Sequence, residues 1–288
     1  MKIYVIAAVC ALIITTGAFL LPERSRAAEV EIGATVWYSW WEPYWTQVSD
    51  SIIVSSYSAV SNFSGGPLLK IRFNDTWSIA TSYTYGRYEG TASGILPAPL
   101  FYFIEQPYDS KREAKRHDFD FLVSGSVNTY MKIFGGVTYS GYEMNTKTSI
   151  LAFTFLQEIF HHFAGPAIGA GFTIPLISTL SLKPAVCGVF QFSSFVAEPG
   201  NAINDSINSI IGGTETTLMY AGLNITLSLA YAIQRINVTL ALGGRFQYLW
   251  IEKVSGKNFP AAGQHDMLGG VTLMATYTFI ISSSNKKG

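Results

Sequence analysis

The chain has 288 residues, of which 49% are hydrophobic and only 13% are charged, whereas about 25% of the residues of an ordinary soluble domain are charged. Such a composition requires an apolar solvent for part of the surface, or a very large core. The formal net charge of zero provides no basic field for a nucleic acid, which argues against that class of partner.

The first 27 residues are predicted to be an export signal. Lys2 supplies a positive start, residues 3–21 are almost wholly apolar, and a small-x-small cleavage pattern ends at Ala27. An uncleaved membrane anchor is the alternative, because the apolar run is long. We therefore expect residues 1–27 to be a cleaved signal peptide and residues 28–288 to form one domain.

After this signal the sequence alternates with a period of two. In residues 219–231 the odd positions are mostly large and apolar, whereas the even positions are mostly small or polar, and residues 236–250 and 270–279 repeat the pattern. Such alternation predicts strands with one apolar and one polar face. These segments exceed the five or six residues usual in globular sheets. They match the roughly 9–11 residues that a tilted strand needs to cross a bilayer.

Ten such strands are predicted along the chain. They cover residues 30–42, 66–73, 77–88, 118–127, 130–140, 164–174, 180–194, 216–231, 236–251 and 265–280. Short turns alternate with long connections at residues 43–65, 89–117, 141–163, 195–215 and 252–264. This plan predicts an all-β fold, a closed antiparallel transmembrane β-barrel with short periplasmic turns and long extracellular loops. Closure is expected because lipid tolerates no unpaired sheet edge.

Aromatic residues mark the ends of the apolar faces, as in the girdles at a membrane surface. They are Trp250, Tyr248, Tyr277, Tyr231, Tyr83, Tyr85, Trp77, Tyr38 and Trp40. A soluble β-sandwich is the alternative fold. Its polar faces would carry more Lys and Glu than the Ser, Thr, Gly and Ala that occur here.

These features together resemble the bacterial outer-membrane β-barrel proteins. The opening strand, with Trp37 and Trp40, and the last strand, with Tyr277 and Phe279, are similar in style to small porin-like or OmpW-like members. The resemblance implies a place in the outer membrane of a Gram-negative cell envelope. It also implies contact with the lipid of that membrane and insertion by its assembly machinery.

Eight charged side chains are predicted from the alternation to point into the barrel. They are Glu31, Lys70, Arg72, Asp118, Asp120, Lys132, Lys183 and Arg245. Mixed interior charge usually forms a paired, hydrogen-bonded network, because an unpaired buried charge is costly. A basic pathway that favours small polar or anionic solutes is the functional alternative. Both interpretations stay open at this point.

The number of strands limits how wide such a pathway can be. Eight-stranded barrels are filled by side chains, and open aqueous channels appear near sixteen strands. Inward glycines would leave some space; they are Gly165, Gly169, Gly171, Gly243 and Gly270. We therefore expect a small or gated pore or transport protein rather than a general diffusion pore.

The predicted loops carry apolar and basic residues. The apolar sets are Ile52, Ile53, Val54 and Tyr57; Leu151, Phe155, Leu156, Ile159, Phe160 and Phe163; and Ala202, Ile203, Ile207, Ile210 and Ile211. The last two sets have helical spacing. They predict short helices that cap or plug the barrel mouth. The alternative is an apolar vestibule that binds apolar ligands or partner proteins. A structural or surface-interaction barrel is therefore the second functional hypothesis. The basic set is Lys111, Arg112, Lys115, Arg116 and His117, which would be solvated or contact anionic headgroups.

Catalysis has little support in the sequence. Asp118 and Asp120, with His265 and Asp266, have the residue types of the omptin proteases, but their order and strand positions do not match that family. The adjacent residues His161 and His162 are the sole candidates for lipase-like chemistry. The four histidines have no metal-ligand spacing, and no phosphate-binding glycine loop occurs. We therefore expect no enzymatic activity, no metal and no cofactor.

Overall fold

The computed structural model describes residues 28–43, 60–96, 106–150, 153–197, 216–255 and 264–281. The strands are β1 (Ala28–Glu42), β2 (Val60–Arg72), β3 (Trp77–Leu96), β4 (Gln106–Ser126), β5 (Met131–Ile150), β6 (Phe153–Phe172), β7 (Ile174–Ile177), β8 (Leu180–Ala197), β9 (Thr216–Ile233), β10 (Val238–Ser255) and β11 (His265–Ile281). A three-residue 3-10 helix, Gln234–Ile236, joins β9 to β10. Among the described residues no helix is long and apolar enough to cross a bilayer. The predicted signal and the predicted apolar segments at 52–57 and 202–211 lie outside the described residues.

Ten long strands close into one antiparallel barrel, which confirms the predicted fold class. Strands β1 to β6 follow one another around the ring, β6 pairs directly with β8, and β11 pairs with β1. The four-residue β7 pairs only with the start of β8. Each of the ten long strands therefore has a hydrogen-bonded neighbour on both sides, and a closed sheet of this kind is what a lipid environment requires.

Short turns lie at one end of the barrel, here called the short-turn end. The Asn74 Oδ1 atom accepts hydrogen bonds from the backbone N–H groups of Thr76 (2.9 Å) and Trp77 (2.8 Å). Asn128 makes the same pair of bonds in the next short turn. Asn237 adopts a positive φ of 54°, a conformation that asparagine tolerates better than most residues. These asparagines fix the turns that set the pairing of the long strands.

The outward face carries an apolar belt. On β9, Leu223, Ile225 and Leu227 are about half exposed, whereas the even positions between them are small or polar. The same belt contains Ile32, Val36, Ile133, Val137, Ile168, Val186, Phe190, Leu240, Leu242, Val271 and Leu273. Soluble monomers rarely expose a continuous apolar belt of this kind. It fits the lipid-facing band of a membrane barrel.

Two hairpins are longer than the sequence predicts. Strands β3 and β4 stay paired up to Leu96, and β5 and β6 stay paired up to Ile150. The prediction of long loops at 89–117 and 141–163 is therefore wrong over most of their length. Strand β2 likewise begins at Val60, within the predicted first loop.

The polarity of the strands reverses along these hairpins. Beyond the apolar belt the outward face carries ion pairs, such as Arg87 with Glu113 (2.9 Å) and Lys115 with Glu143 (3.2 Å). The inward face there carries large apolar side chains such as Met144, which is only 2% exposed, together with the buried Arg112. The outward face of this region therefore meets water. A prediction that requires apolar residues on the outward face therefore does not identify these parts of the strands.

The helix predicted from residues 151–163 is also wrong where the structure describes it. Residues 153–163 belong to β6, and Phe163 is buried. Ile159 and Phe163 are four residues apart, which is a helical spacing. The same spacing also places two residues on one face of a strand, because strand side chains alternate with a period of two. The spacing alone could not separate the two structures.

The predicted basic loop lies within β4 rather than in a loop. Arg112 and Arg116 are buried, at 8% and 3% exposure, whereas Lys111, Lys115 and His117 alternate with them on the outward face. The basic cluster is therefore divided between the interior and the surface.

Candidate functional site in the barrel lumen

One inward face runs continuously around the ring. Lys70 lies opposite Glu31, and Asp120 lies opposite Ser82, in the pairing of adjacent strands. By the same register, all eight charges predicted to face inward lie on this face: Glu31, Lys70, Arg72, Asp118, Asp120, Lys132, Lys183 and Arg245. Their part in binding or transport stays a prediction.

In the half of the lumen near the short-turn end, small side chains share the inward face with the larger Leu68, Leu122, Phe134 and Met274. The partly exposed small residues are Ser78, Ala80, Gly136, Gly169, Ala185, Ser228, Gly243 and Thr272, whereas Ser124, Ala230, Ala241 and Thr276 are buried. Lys132 in this half is exposed even though it points inward. Parts of this half, here called the water-accessible half, are therefore accessible to water.

Four cations and two carboxylates lie in the same half. Lys70 Nζ lies 2.7 Å from Glu31 Oε2, and Arg72 Nη1 lies 2.8 Å from Glu29 Oε2. Lys132 and Lys183 form no ion pair within 4.0 Å with any described residue, but Lys70 and Arg72 repel both of them and Glu31 attracts both. The charge of the water-accessible half is therefore positive.

The side chain of Arg116 crosses the lumen on the side of this half that lies away from the short-turn end. Strands β4 and β10 stand five places apart in the ring of ten, so they face each other across the barrel. From β4, Arg116 Nη2 donates to Gln247 Oε1 on β10 (3.2 Å), and Nη1 donates to Asp266 Oδ1 on β11 (3.5 Å). Its Nε donates to Asp118 (3.0 Å), and the guanidinium lies 5.2 Å from the ring centre of Trp41. The Arg116 side chain is 4% exposed.

The remaining charges at mid-height are also held by polar or aromatic partners. Asp118 accepts a hydrogen bond from Ser140 Oγ (2.5 Å). Arg245 donates to Asn224 Oδ1 (3.2 Å) and lies over the ring of Trp37. A hydrogen-bonded network therefore occupies mid-height, where Arg245 has an amide rather than a carboxylate partner. In the water-accessible half, Lys132 and Lys183 have no ion pair with a described residue, and the basic pathway stays a prediction.

Large side chains fill the lumen at the end opposite the short turns. They form a packed layer of Trp41, Tyr88, Tyr142, Met144, Phe163, Leu218, Tyr220, Leu249, Ile251 and Leu268, each at most 4% exposed. Phe163 contacts Tyr220 with ring centres 4.3 Å apart, and Trp41 contacts Tyr142 at 5.3 Å. The Tyr142 hydroxyl and His161 Nδ1 are hydrogen-bonded at 2.6 Å within this layer. Interiors packed in this way leave few voids larger than a water molecule.

The structure does not assemble the protease-like set of residues. His265 points outward and stacks on Tyr248, with ring centres 5.2 Å apart, whereas Asp266 points inward. Arg116 binds both Asp118 and Asp266. Among the described residues no group of three or more His, Cys, Asp or Glu is arranged to hold a metal ion.

No protein-family model matches the chain, and no curated protein sequence matches it either. Among solved structures, the outer-membrane protease OmpT of Escherichia coli is similar, with 11% identity, a TM-score of 0.55, and coverage of 89% of this chain and 98% of that chain. Ail, the attachment invasion locus protein of Yersinia pestis, matches with 9% identity, a TM-score of 0.31 and coverage of 89% and 100%. OprG of Pseudomonas aeruginosa matches with 11% identity, a TM-score of 0.32 and coverage of 89% and 97%. The chain has the fold of the bacterial outer-membrane β-barrel proteins, and this confirms the predicted resemblance. The likeness supports an outer-membrane location.

Proposed function

We propose that the protein is a small, gated outer-membrane passage for anionic or polar solutes and that it acts without catalysis. The observation that carries the proposal is the division of the lumen. One half is accessible to water and positively charged, and the other half is filled by the packed layer. By the plan of outer-membrane barrels, the short-turn end faces the periplasm.

The preference for anions follows from charge. Two carboxylates compensate Lys70 and Arg72, whereas Lys132 and Lys183 have no ion pair among the described residues. Low-dielectric walls focus such a potential and raise the local concentration of anions. Rings of Lys and Arg select anions in other pores by the same physics.

The need for a gate follows from packing. Arg116 spans the barrel, and the packed layer above it leaves its side chains almost without exposed surface. A solute can pass only after these side chains rearrange. We therefore expect brief or rare openings rather than a steady large conductance.

The absence of catalysis is part of the proposal. OmpT is a protease, but its likeness to this chain is one of fold, at 11% identity. A carboxylate-held histidine is the base that such chemistry needs. His265 points away from the aspartates, and Arg116 holds two of them, which supports a role in structure for this cluster.

Single-protein recording in a planar lipid bilayer tests the passage. Under a salt gradient, the reversal potential of the wild-type protein should report a preference for anions. In the double variant Lys132→Glu and Lys183→Glu, we expect the anion-to-cation permeability ratio to fall about tenfold, because lumen potentials amount to several kT. Lys147→Glu is the control, since Lys147 is exposed on β5 beyond the apolar belt.

Two results would contradict the passage. One is a cation preference in the wild-type protein. The other is an absence of openings in a folded sample over long recordings, which would favour the structural or surface-interaction barrel instead.

A further inference from the structure

We propose that Lys132 and Lys183 form a binding site for a compact dianion, such as a phosphate group, that enters from the periplasm. The site lies in the lumen that the proposed function uses, and it rests on that function's premise of an anionic solute. It adds a stated ligand class and a place where that ligand is held.

The first support is the distribution of charge. In the water-accessible half, Lys70 and Arg72 each have a carboxylate within 2.8 Å, whereas Lys132 and Lys183 have no ion pair with a described residue. Lys70 and Arg72 repel both lysines, and Glu31 attracts both. The four cations therefore exceed the two carboxylates, Glu29 and Glu31, by two charges. Cations gathered in this way repel one another, so a bound anion would stabilise them. The uncompensated charge of two matches a dianion.

The second support is the shape of the wall beside Lys132. A Cβ atom at Gly171 would lie 3.0 Å from Lys132 Cε and 3.5 Å from the Cβ of Ala185. The stem of Lys132 therefore lies over Gly171 on β6, next to β8. Lys183 lies on β8, on the same inward face as Ala185. The glycine thus allows Lys132 to extend towards the strand that carries Lys183.

Hydroxyl donors accompany both lysines. Ser126 lies opposite Lys132 in the pairing of β4 with β5, and Ser228 lies opposite Lys183 in the pairing of β8 with β9. Two ammonium groups and nearby hydroxyls supply the donors that a phosphate group with several acceptor oxygens requires. A monocarboxylate would satisfy fewer of them.

The route of entry follows from the two ends of the lumen. Lys132 and Ser126 are exposed near the short-turn end, whereas the packed layer fills the other end. A small anion that enters from the periplasmic side would therefore meet the exposed Lys132 before it meets the packed layer.

Isothermal titration of the folded full-length barrel in zwitterionic detergent tests this site, with inorganic phosphate as the probe. At constant ionic strength we expect one saturable site, with weaker binding of acetate. Lys132→Gln and Lys183→Gln should each weaken phosphate binding at least about tenfold, because each removes a charge-assisted contact. Arg235→Gln is the matched control, since Arg235 is an exposed cation in a turn at the same end of the barrel. Its affinity should be unchanged.

The outcomes separate this site from the passage. No saturable phosphate binding, or equal binding by the wild type and Lys132→Gln, overturns the site. Lys132→Arg keeps the charge and should keep the affinity within a few-fold, which guards against a folding defect as the cause. A barrel that binds phosphate but never conducts supports the site and contradicts the passage. A barrel that conducts anions without saturable phosphate binding contradicts the site and supports the passage.

Discussion

Replacing Arg116 with methionine should lower the free energy of unfolding of the barrel by about 3–5 kcal/mol, the usual effect of removing one partner from a buried ion pair. Arg116 binds Asp118 at 3.0 Å and Asp266 at 3.5 Å, with both carboxylates at most 12% exposed. The variant would leave two negative charges in the middle of the lumen without this partner. It would also remove the hydrogen bond that joins β4 to β10 across the barrel.

Urea unfolding in lipid vesicles, followed by tryptophan fluorescence, measures this loss. Arg87→Met is the matched control. Arg87 also pairs with carboxylates, but its side chain is 52% exposed, and exposed pairs contribute at most about 1 kcal/mol. Adding Asp266→Asn to Arg116→Met should recover part of the lost free energy, because one of the two unpaired charges is removed. Equal losses for Arg116→Met and Arg87→Met would show that Arg116 is not the buried link described here.

Gly136→Val should prevent the folded barrel from forming or destabilise it by about 3 kcal/mol or more, at the upper end of overpacking effects. Strand β4 approaches Gly136 so closely that a Cβ atom would lie 1.9 Å from the main-chain oxygen of Phe121. Gly136 faces inward, where the curvature of a narrow barrel brings the strands together. A side chain could enter only if the β4–β5 pairing changed.

The neighbouring residue supplies the control for this variant. A Cβ atom at Gly135 meets its nearest neighbour, the main-chain oxygen of Ala167, at 3.5 Å, which is an ordinary contact. Gly135→Val should therefore fold like the wild type. The gel mobility of unheated and heated samples distinguishes folded from unfolded barrels. A folded Gly136→Val variant with wild-type resistance to heating would contradict the close approach.

The strands of the C-terminal third could be predicted from the sequence. The predicted ranges 216–231, 236–251 and 265–280 lie within four residues of the observed strand ends. Lipid makes the signal strong here, because every outward residue must be apolar while its neighbours need not be. The same alternation placed the inward charges on the correct face.

The parts of β3 to β6 that lie beyond the apolar belt, away from the short-turn end, could not be predicted in this way. Water replaces lipid beyond the apolar belt, so Arg87 and Lys115 lie outside while Met144 lies inside. The period of two persists, but its polarity is reversed. A single sequence does not reveal where that reversal occurs.

The network around Arg116 lay beyond prediction for another reason. The period of two places Arg116 and Lys115 on opposite faces of a strand. A predicted fourth strand that began before residue 116 would therefore have placed Arg116 on the inward face. Its partners Gln247 and Asp266 lie more than a hundred residues away along the chain. Only the register and the closure of the ring bring them together. The sequence supplies the residues of the site but not their pairing.

The central claim is that alternate residues of the long strands face lipid and the lumen. Nitroxide labels placed one at a time at residues 223–229 of β9, in a background with Cys10→Ala and Cys187→Ala and in lipid vesicles, test it most directly. Labels at the odd positions should collide mainly with oxygen dissolved in the lipid, and labels at Asn224, Thr226 and Ser228 should be less accessible to that oxygen. At Ser228, in the water-accessible half, the label should also collide with a water-soluble nickel complex. Accessibility without a two-residue period, or equal contact of all seven labels with the nickel complex, would contradict the membrane barrel.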